Sequence, residues 1–358
     1  MRVLYFGTYD RAYPRNAQVI SALRGADVEV QEEHRSVWQQ RHNWSAGPPE
    51  LMRLTEAQWS LRRTRSDHEG VDAVIVGYPG HFDLGAAAYV ARGRPVVFNP
   101  LVSLSDTLVD DRARFRPGSL GARLVGHIDR RAFRRADVVV ADTEAHAQFF
   151  RDRFALSEAG VETCFVGAED RLFRPERRPA VTFHALFVGK LIPLHGLETI
   201  LAAAALAPEI PFRIVGSGQL EPLLAGRPAN VTSIPWVEYE DLPAEVHAAG
   251  CALGVFGTGA KASRVIPNKA FQALACGTPL VTADTPGARE LLTDGADALL
   301  VPPGDPAALA AAVRRLAGDP TLAQRIGASG RETYARRASE PVLGAQWRDV
   351  IERAVAAS

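Results

Sequence analysis

Apolar residues along this chain fall in short unbroken runs rather than in alternation with polar ones. Val3–Phe6, Ala73–Val76, Pro95–Phe98 and Asp137–Ala141 are runs of this kind. Between them the spacing turns helical, most clearly over Asn16–Leu23, with Gly25 placed as a C-terminal cap. A short apolar run without polar alternation belongs to a strand buried on both faces, as in a parallel sheet covered by helices. The same rhythm resumes further on. Ala185–Val188, Phe212–Val215, Val231–Ile234, Ala252–Phe256 and Pro279–Thr282 read as strands, Leu197–Leu206 and Phe271–Ala275 as helices. Thr285-Pro286 and Asp305-Pro306 each set a capping side chain before a proline suited to a first helical turn, and Gly318 closes the helix over Ala307–Leu316.

The two series are separated by a polar, proline-bearing stretch without periodicity, from Gly167 to Pro179. The fold expected is α/β, with two doubly wound Rossmann-like domains in sequence: residues 1–168, a linker over 169–179, and residues 180–340. A C-terminal helix over about 341–358 is expected to pack back on the first domain. A chain of 358 residues has material for two such cores. Ligands of these sheets bind at the carboxyl ends of the strands, so a cleft between the domains is the expected site.

Composition narrows the partners. Net charge is zero and the pI is about 7.1, which gives no electrostatic footprint for nucleic acid. Cys164, Cys251 and Cys276 are far apart and odd in number, so neither a disulfide framework nor a metal site is expected. The apolar run after Met1-Arg2 is too short for a signal segment, and no stretch approaches the ~20 apolar residues of a membrane span. A cytoplasmic protein is expected, reaching at most the inner membrane surface. Of 41 basic residues only Lys190, Lys261 and Lys269 are lysines. Lysine kept in so arginine-rich a chain suggests positions that need a compact ammonium.

Phe6-Gly7-Thr8-Tyr9-Asp10 forms the first βα turn but lacks the three glycines of a dinucleotide fingerprint, as does Gly216-Ser217-Gly218, where Glu221 takes the place of the third. Gly7 and Thr8 remain candidates for close substrate approach, as do Gly216 and Gly218. Gly189-Lys190 follows a strand and leads through His195-Gly196 into a helix. A cation at a strand end beside a helix N-terminus suits a diphosphate. Arg264-Val265-Ile266-Pro267-Asn268-Lys269 enters a second helix, with proline in its first turn, free N–H groups at Asn268 and Lys269, and Gln272 one turn on. Together these residues suit a nucleoside diphosphate, with lysine and N–H groups for phosphate and the amide for ribose hydroxyls.

The run Ala273-Leu274-Ala275-Cys276-Gly277-Thr278-Pro279, with Pro286-Gly287-Ala288-Arg289-Glu290 and Val301-Pro302-Pro303-Gly304-Asp305 downstream, resembles the retaining, two-Rossmann-domain group 1 glycosyltransferases. Val188-Gly189-Lys190 and His195-Gly196 resemble that family's phosphate-binding strand end. The resemblance implies transfer of a sugar from a nucleoside-diphosphate-sugar to a hydroxyl acceptor (small molecule, glycan or lipid-linked). It also implies retention of configuration, no cofactor and no metal. Gln272 stands where the family usually holds ribose with a glutamate, and Arg264 where a glutamate touches the sugar. Trp236-Val237 falls where the nucleobase is flanked. Lys190 and Lys269 are the expected catalytic cations. In the first domain Asp106 is the candidate for contacting sugar or acceptor, with Asp110 and Asp111 close alternatives and a helix-capping role also open. Arg112–Arg135 holds eight arginines with interleaved leucines, which admits a peripheral membrane contact as well as an ordinary packed helix. Two other functions fit the same architecture: a sugar-nucleotide epimerase and a non-catalytic two-domain sugar-binding protein.

Overall fold

The structure is a computed structural model that describes residues 1–11, 13–37, 48–176 and 182–358. The chain divides into two compact units, Met1–Phe165 with Glu340–Ser358, and Val166–Ser339. Positions 177–179 of the expected linker lie outside the described residues.

The first unit runs β1 (Arg2–Gly7), α1 (Pro14–Gly25), β2 (Glu29–His34), α2 (Pro48–Arg63), β3 (Ala73–Val76), α3 (Leu84–Ala91), β4 (Val96–Phe98), α4 (Leu120–Phe133), β5 (Val138–Ala141), α5 (Glu144–Phe154) and β6 (Val161–Thr163). Its six strands are all parallel, in the order β2-β1-β3-β4-β5-β6. The buried runs fill the centre of the sheet, and the partly polar Glu29–His34 and Val161–Thr163 take the edges. One face is sealed by Leu61, Leu84, Val90, Phe133, Phe150 and Phe154.

The second unit runs β7 (Ala185–Val188), α6 (Leu197–Leu206), β8 (Phe212–Val215), β9 (Val231–Ile234), α7 (Leu242–Ala248), β10 (Cys251–Leu253), α8 (Asn268–Cys276), β11 (Leu280–Ala283), α9 (Pro286–Arg289), β12 (Leu299–Val301), α10 (Pro306–Gly318) and α11 (Pro320–Arg337). This sheet is also all parallel, in the order β12-β11-β10-β7-β8-β9. Thr285, Asp305 and Asp319 cap α9, α10 and α11 through their side chains, each followed by proline, as the Ser/Thr/Asp-Pro pattern requires. In α11, Tyr334 Oη donates to the Asp170 carboxylate at 2.6 Å and ties down the segment that opens this unit.

The last helix, α12 (Glu340–Ala356), belongs to the first unit and packs on α1. Gly344 lies against the Ala22 carbonyl, leaving no room for a Cβ, and Trp347 is fully buried. The Arg15 guanidinium lies 5.6 Å from the Trp347 ring and donates to Asn99 and to the Cys164 and Phe165 carbonyls. All three cysteines are buried thiols outside any disulfide. Among the described residues no helix is long and apolar enough to cross a membrane.

A strand end and a helix start differ from the sequence pattern. The apolar run Ala252–Phe256 leaves the sheet after Leu253, because Gly254 packs against Thr282 and Val255 N–H turns to the Thr282 hydroxyl. Pro267 is the residue before α8, with extended backbone, so the first helical turn begins at Asn268.

Candidate active site

At the carboxyl end of the second sheet, the exits of β7 and β8 and the starts of α6 and α8 converge. β7 ends at Gly189, where φ is +144°, a conformation open to glycine. β8 ends at Gly216, packed so tightly on the Gly189 carbonyl that a Cβ cannot fit, and Gly218 lies against the Leu191 backbone. The two loops are tied by Leu191 N–H to Ser217 O (2.9 Å) and Leu220 N–H to Leu191 O (2.8 Å). Gly216 and Gly218 thus set the path of the Gly189–Leu191 loop through backbone contact. His195 closes the next turn. Its Nδ1 faces the Lys190 carbonyl, which can only accept, so Nδ1 carries a hydrogen and donates it there. Gly196, left-handed at φ +69°, packs on the Phe256–Gly257 backbone and starts α6.

Into this concavity comes Lys269, from the first turn of α8. Its residue is 8% exposed, and its Nζ is buried without a hydrogen-bond partner. Nζ lies 4.1 Å from the centroid of the Phe187 ring and 3.1 Å from where a Cβ on Gly189 would stand, with His195 Cε1 3.4 Å from that same point. Burial pushes the Lys269 ammonium well below the ordinary lysine range, and no carboxylate offsets it. The ring face of Phe187 offers only weak cation–π support. No side chain caps α8, so the N–H groups of its first turn add to the same positive end.

The other expected residues of this unit arrange themselves around Lys269. Gln272 is buried one turn further along α8, with the Tyr239 hydroxyl and, beyond it, Glu169 as neighbours. Burial raises both the Tyr239 hydroxyl and the Glu169 carboxyl above their ordinary values. Neither residue carries a sequence signal, since a lone tyrosine and a glutamate in a linker-like stretch have no spacing to read. Val265 and Ile266 are buried and Arg264 and Asn268 half-buried. Gly287 packs on the Arg264 backbone and Gly287 N–H donates to Ser263 O (3.0 Å), which fixes the entry to α8. Lys190 is exposed at the rim. Trp236 is 60% exposed beyond β9, its Nε1–H on Glu238 (3.2 Å), and Val237 is half-buried.

In the first unit, Gly7 (φ +126°) and Thr8 meet Asp83. Asp83 accepts from Thr8 N–H (2.7 Å), from the Thr8 hydroxyl (3.0 Å) and from the Gln58 amide. Thr8 is 1% exposed and its donors are spent on this carboxylate, so the turn is built as a closed unit. Burial raises the Asp83 carboxyl to about 6. Asp106 is buried at the start of a wide π-type turn over Asp106–Asp111, a form frequent at functional sites. Asp110 is exposed and Asp111 half-buried on the same turn. That turn is held from below by Asp129 of α4, which accepts from Leu104 N–H (2.9 Å), Ser105 N–H (2.7 Å) and the Ser103 hydroxyl (2.8 Å). His81 is buried with its two ring nitrogens on the Pro79 and Val102 carbonyls. Asn16 clips the first loop to the third, donating to Asp10 O and Tyr78 O and accepting from Tyr78 N–H. This brings the Tyr13 and Tyr78 rings to 4.7 Å.

The two all-parallel sheets, each covered by helices, give the chain a two-domain α/β Rossmann-like fold, with Lys269 at a strand end of the second unit. Residues 182–319, within the second unit, match the family model Glycosyl transferases group 1. Among relatives, the chain is 38% identical over 89 residues to the lipopolysaccharide core biosynthesis glycosyltransferase LpsD of Rhizobium meliloti, a stretch covering 25% of this chain and 26% of LpsD. It is 27% identical over 321 residues to the D-inositol 3-phosphate glycosyltransferase of a Nocardioides species, covering 77% of this chain and 68% of that one. Among solved structures, sucrose-phosphate synthase from Thermosynechococcus elongatus aligns over 100% of this chain and 99% of its own at a TM-score of 0.76 and 20% identity. Anabaena HepE in complex with UDP-glucose aligns over 99% and 100% at 0.73 and 16%.

Proposed function

We propose that this chain is a glycosyltransferase that moves a sugar from a nucleoside-diphosphate-sugar to a hydroxyl acceptor, with retention of configuration and without an obligatory metal. The observation that carries the reading is Lys269, a buried amine with no partner, set beside the Gly189 loop and the start of α8. Such a group is costly to hold unless an anion completes it. A diphosphate does so, and its charge grows as it leaves, so the same contacts bind the transition state more tightly than the donor. Lys190 at the rim and the N–H groups of Asn268 and Lys269 share that charge. Gln272 takes the ribose hydroxyls, Trp236 and Val237 flank the base, and Arg264 with Val265 and Ile266 lines the sugar end. In the step, the bond from the sugar C1 to the phosphate oxygen breaks and the acceptor oxygen bonds to C1 on the same face. The acceptor proton passes to the departing phosphate oxygen. Asp83 and Asp129 are engaged by their own loops, which favours this assignment, with Asp106 orienting the acceptor. HepE, of like fold, is described in complex with UDP-glucose, so uridine nucleotides are the first donors to try. Donor hydrolysis without acceptor, followed by NMR of the first-formed anomer, tests the reading. Release of the donor's own anomer supports it; release of the opposite anomer refutes retention, and an isomerised donor refutes transfer altogether.

A further inference from the structure

Helix α4 wears two of its leucines on the outside. Ser119 caps it through the Ala122 N–H (3.2 Å), and Val125, Asp129, Ala132 and Phe133 face inward. At about 100° per residue, Leu120, Arg123, Leu124, His127, Arg130, Arg131 and Arg134 fall in an arc of about 120° on the opposite side. Leu120 is 83% and Leu124 60% exposed. The helix has a single carboxylate, Asp129, and it is buried beneath Ser103–Ser105. Among the described residues, Arg123, Arg130, Arg131 and Arg134 make no ion pair. The outer face is therefore cationic with an apolar patch at its N-terminal end, on a chain whose net charge is zero.

We propose that this face of α4 docks the protein on an anionic lipid bilayer. The arginines meet lipid phosphates while Leu120 and Leu124 enter the boundary between headgroup and acyl chain, where exposed leucine gains by burial. Nucleic acid would use the arginines and leave both leucines in water. An acidic protein would do without a lipid requirement.

Co-sedimentation of the full chain with phosphatidylcholine vesicles, and with equimolar phosphatidylcholine/phosphatidylglycerol vesicles, tests this. The expected result is binding to the anionic vesicles alone, released by about 0.5 M salt. The double variants Leu120→Ser/Leu124→Ser and Arg130→Gln/Arg131→Gln should each lower the bound fraction at least about tenfold with unchanged circular dichroism. Arg153→Gln, exposed on α5, should bind as wild type. Equal binding to both vesicles, binding to neither, or loss in the arginine variant with none in the leucine variant would each overturn the proposal. The last outcome points to a polyanion instead. Vesicle binding is read without turnover, so its failure leaves the donor-site reading untouched.

Discussion

The Lys269 ammonium nitrogen lies 4.1 Å from the centroid of the Phe187 ring, buried and with no hydrogen-bond partner. A site that needs this charge only when occupied carries it as a liability when empty. Lys269→Met keeps the apolar stem and removes the charge. The variant is expected to be more stable than wild type without nucleotide, by about 1 kcal/mol, and to lose the stabilisation that nucleotide gives wild type. Thermal unfolding with and without nucleoside diphosphate checks both halves.

The same burial sets a pH dependence. The folded-state value of Lys269 is depressed below the unfolded value of about 10.4, so between the two the unfolded chain binds the extra proton. The contribution of this group to stability is therefore lowest below the folded value, and rises with pH until both states are neutral. Wild type should close its gap to Lys269→Met as pH rises toward 10. A diphosphate raises the lysine value again, so binding above the folded value should take up a proton, visible as buffer-dependent heats in calorimetry.

Gly216 and Gly226 separate geometry from composition. A Cβ at Gly216 collides with the Gly189 carbonyl, and its φ is +150°, whereas Gly226 has nothing within 4 Å. Gly216→Ala should displace the Gly189–Leu191 loop and cut nucleotide affinity at least about tenfold, with a stability loss of about 1–3 kcal/mol. Gly226→Ala should match wild type in both. Titration of nucleotide alongside urea unfolding checks the pair.

Asp83 gives a second pH test, of opposite sign. Its folded value of about 6 lies above the ordinary carboxylate value, so stability from this group falls as pH rises from about 4 to 6. Asp83→Asn turns a donor toward Thr8 or Gln58 and should cost about 1–3 kcal/mol. The wild-type advantage over Asp83→Asn should be larger at pH 4 than at pH 7, which urea unfolding at the two pH values measures.

Much of the fold was legible because parallel strands buried on both faces leave unbroken apolar runs. Ala73–Val76, Ala185–Val188, Phe212–Val215 and Val231–Ile234 are the strands the pattern predicts. The edge strand Glu29–His34 was not, since one open side admits Gln31, Glu32 and Glu33. On the second unit, Gly189 and Lys269, which lie side by side, could be paired from sequence because one ends a strand and the other opens a helix, the pattern that suits an anion. The buried carboxylates Asp83 and Asp129 could not, because each serves a loop remote in sequence: Asp83 lies 75 residues from Thr8 and Asp129 24 from Ser105. The outward leucines of α4 were also hidden, since spacing alone does not say which face of a helix is buried.

On the proposed reading, Lys269 completes a diphosphate site. Isothermal titration of wild type and Lys269→Met with whichever of UDP, GDP or ADP binds wild type best addresses it directly. A loss of affinity of about 100-fold or more in the variant is the predicted result. An unchanged Kd would contradict it.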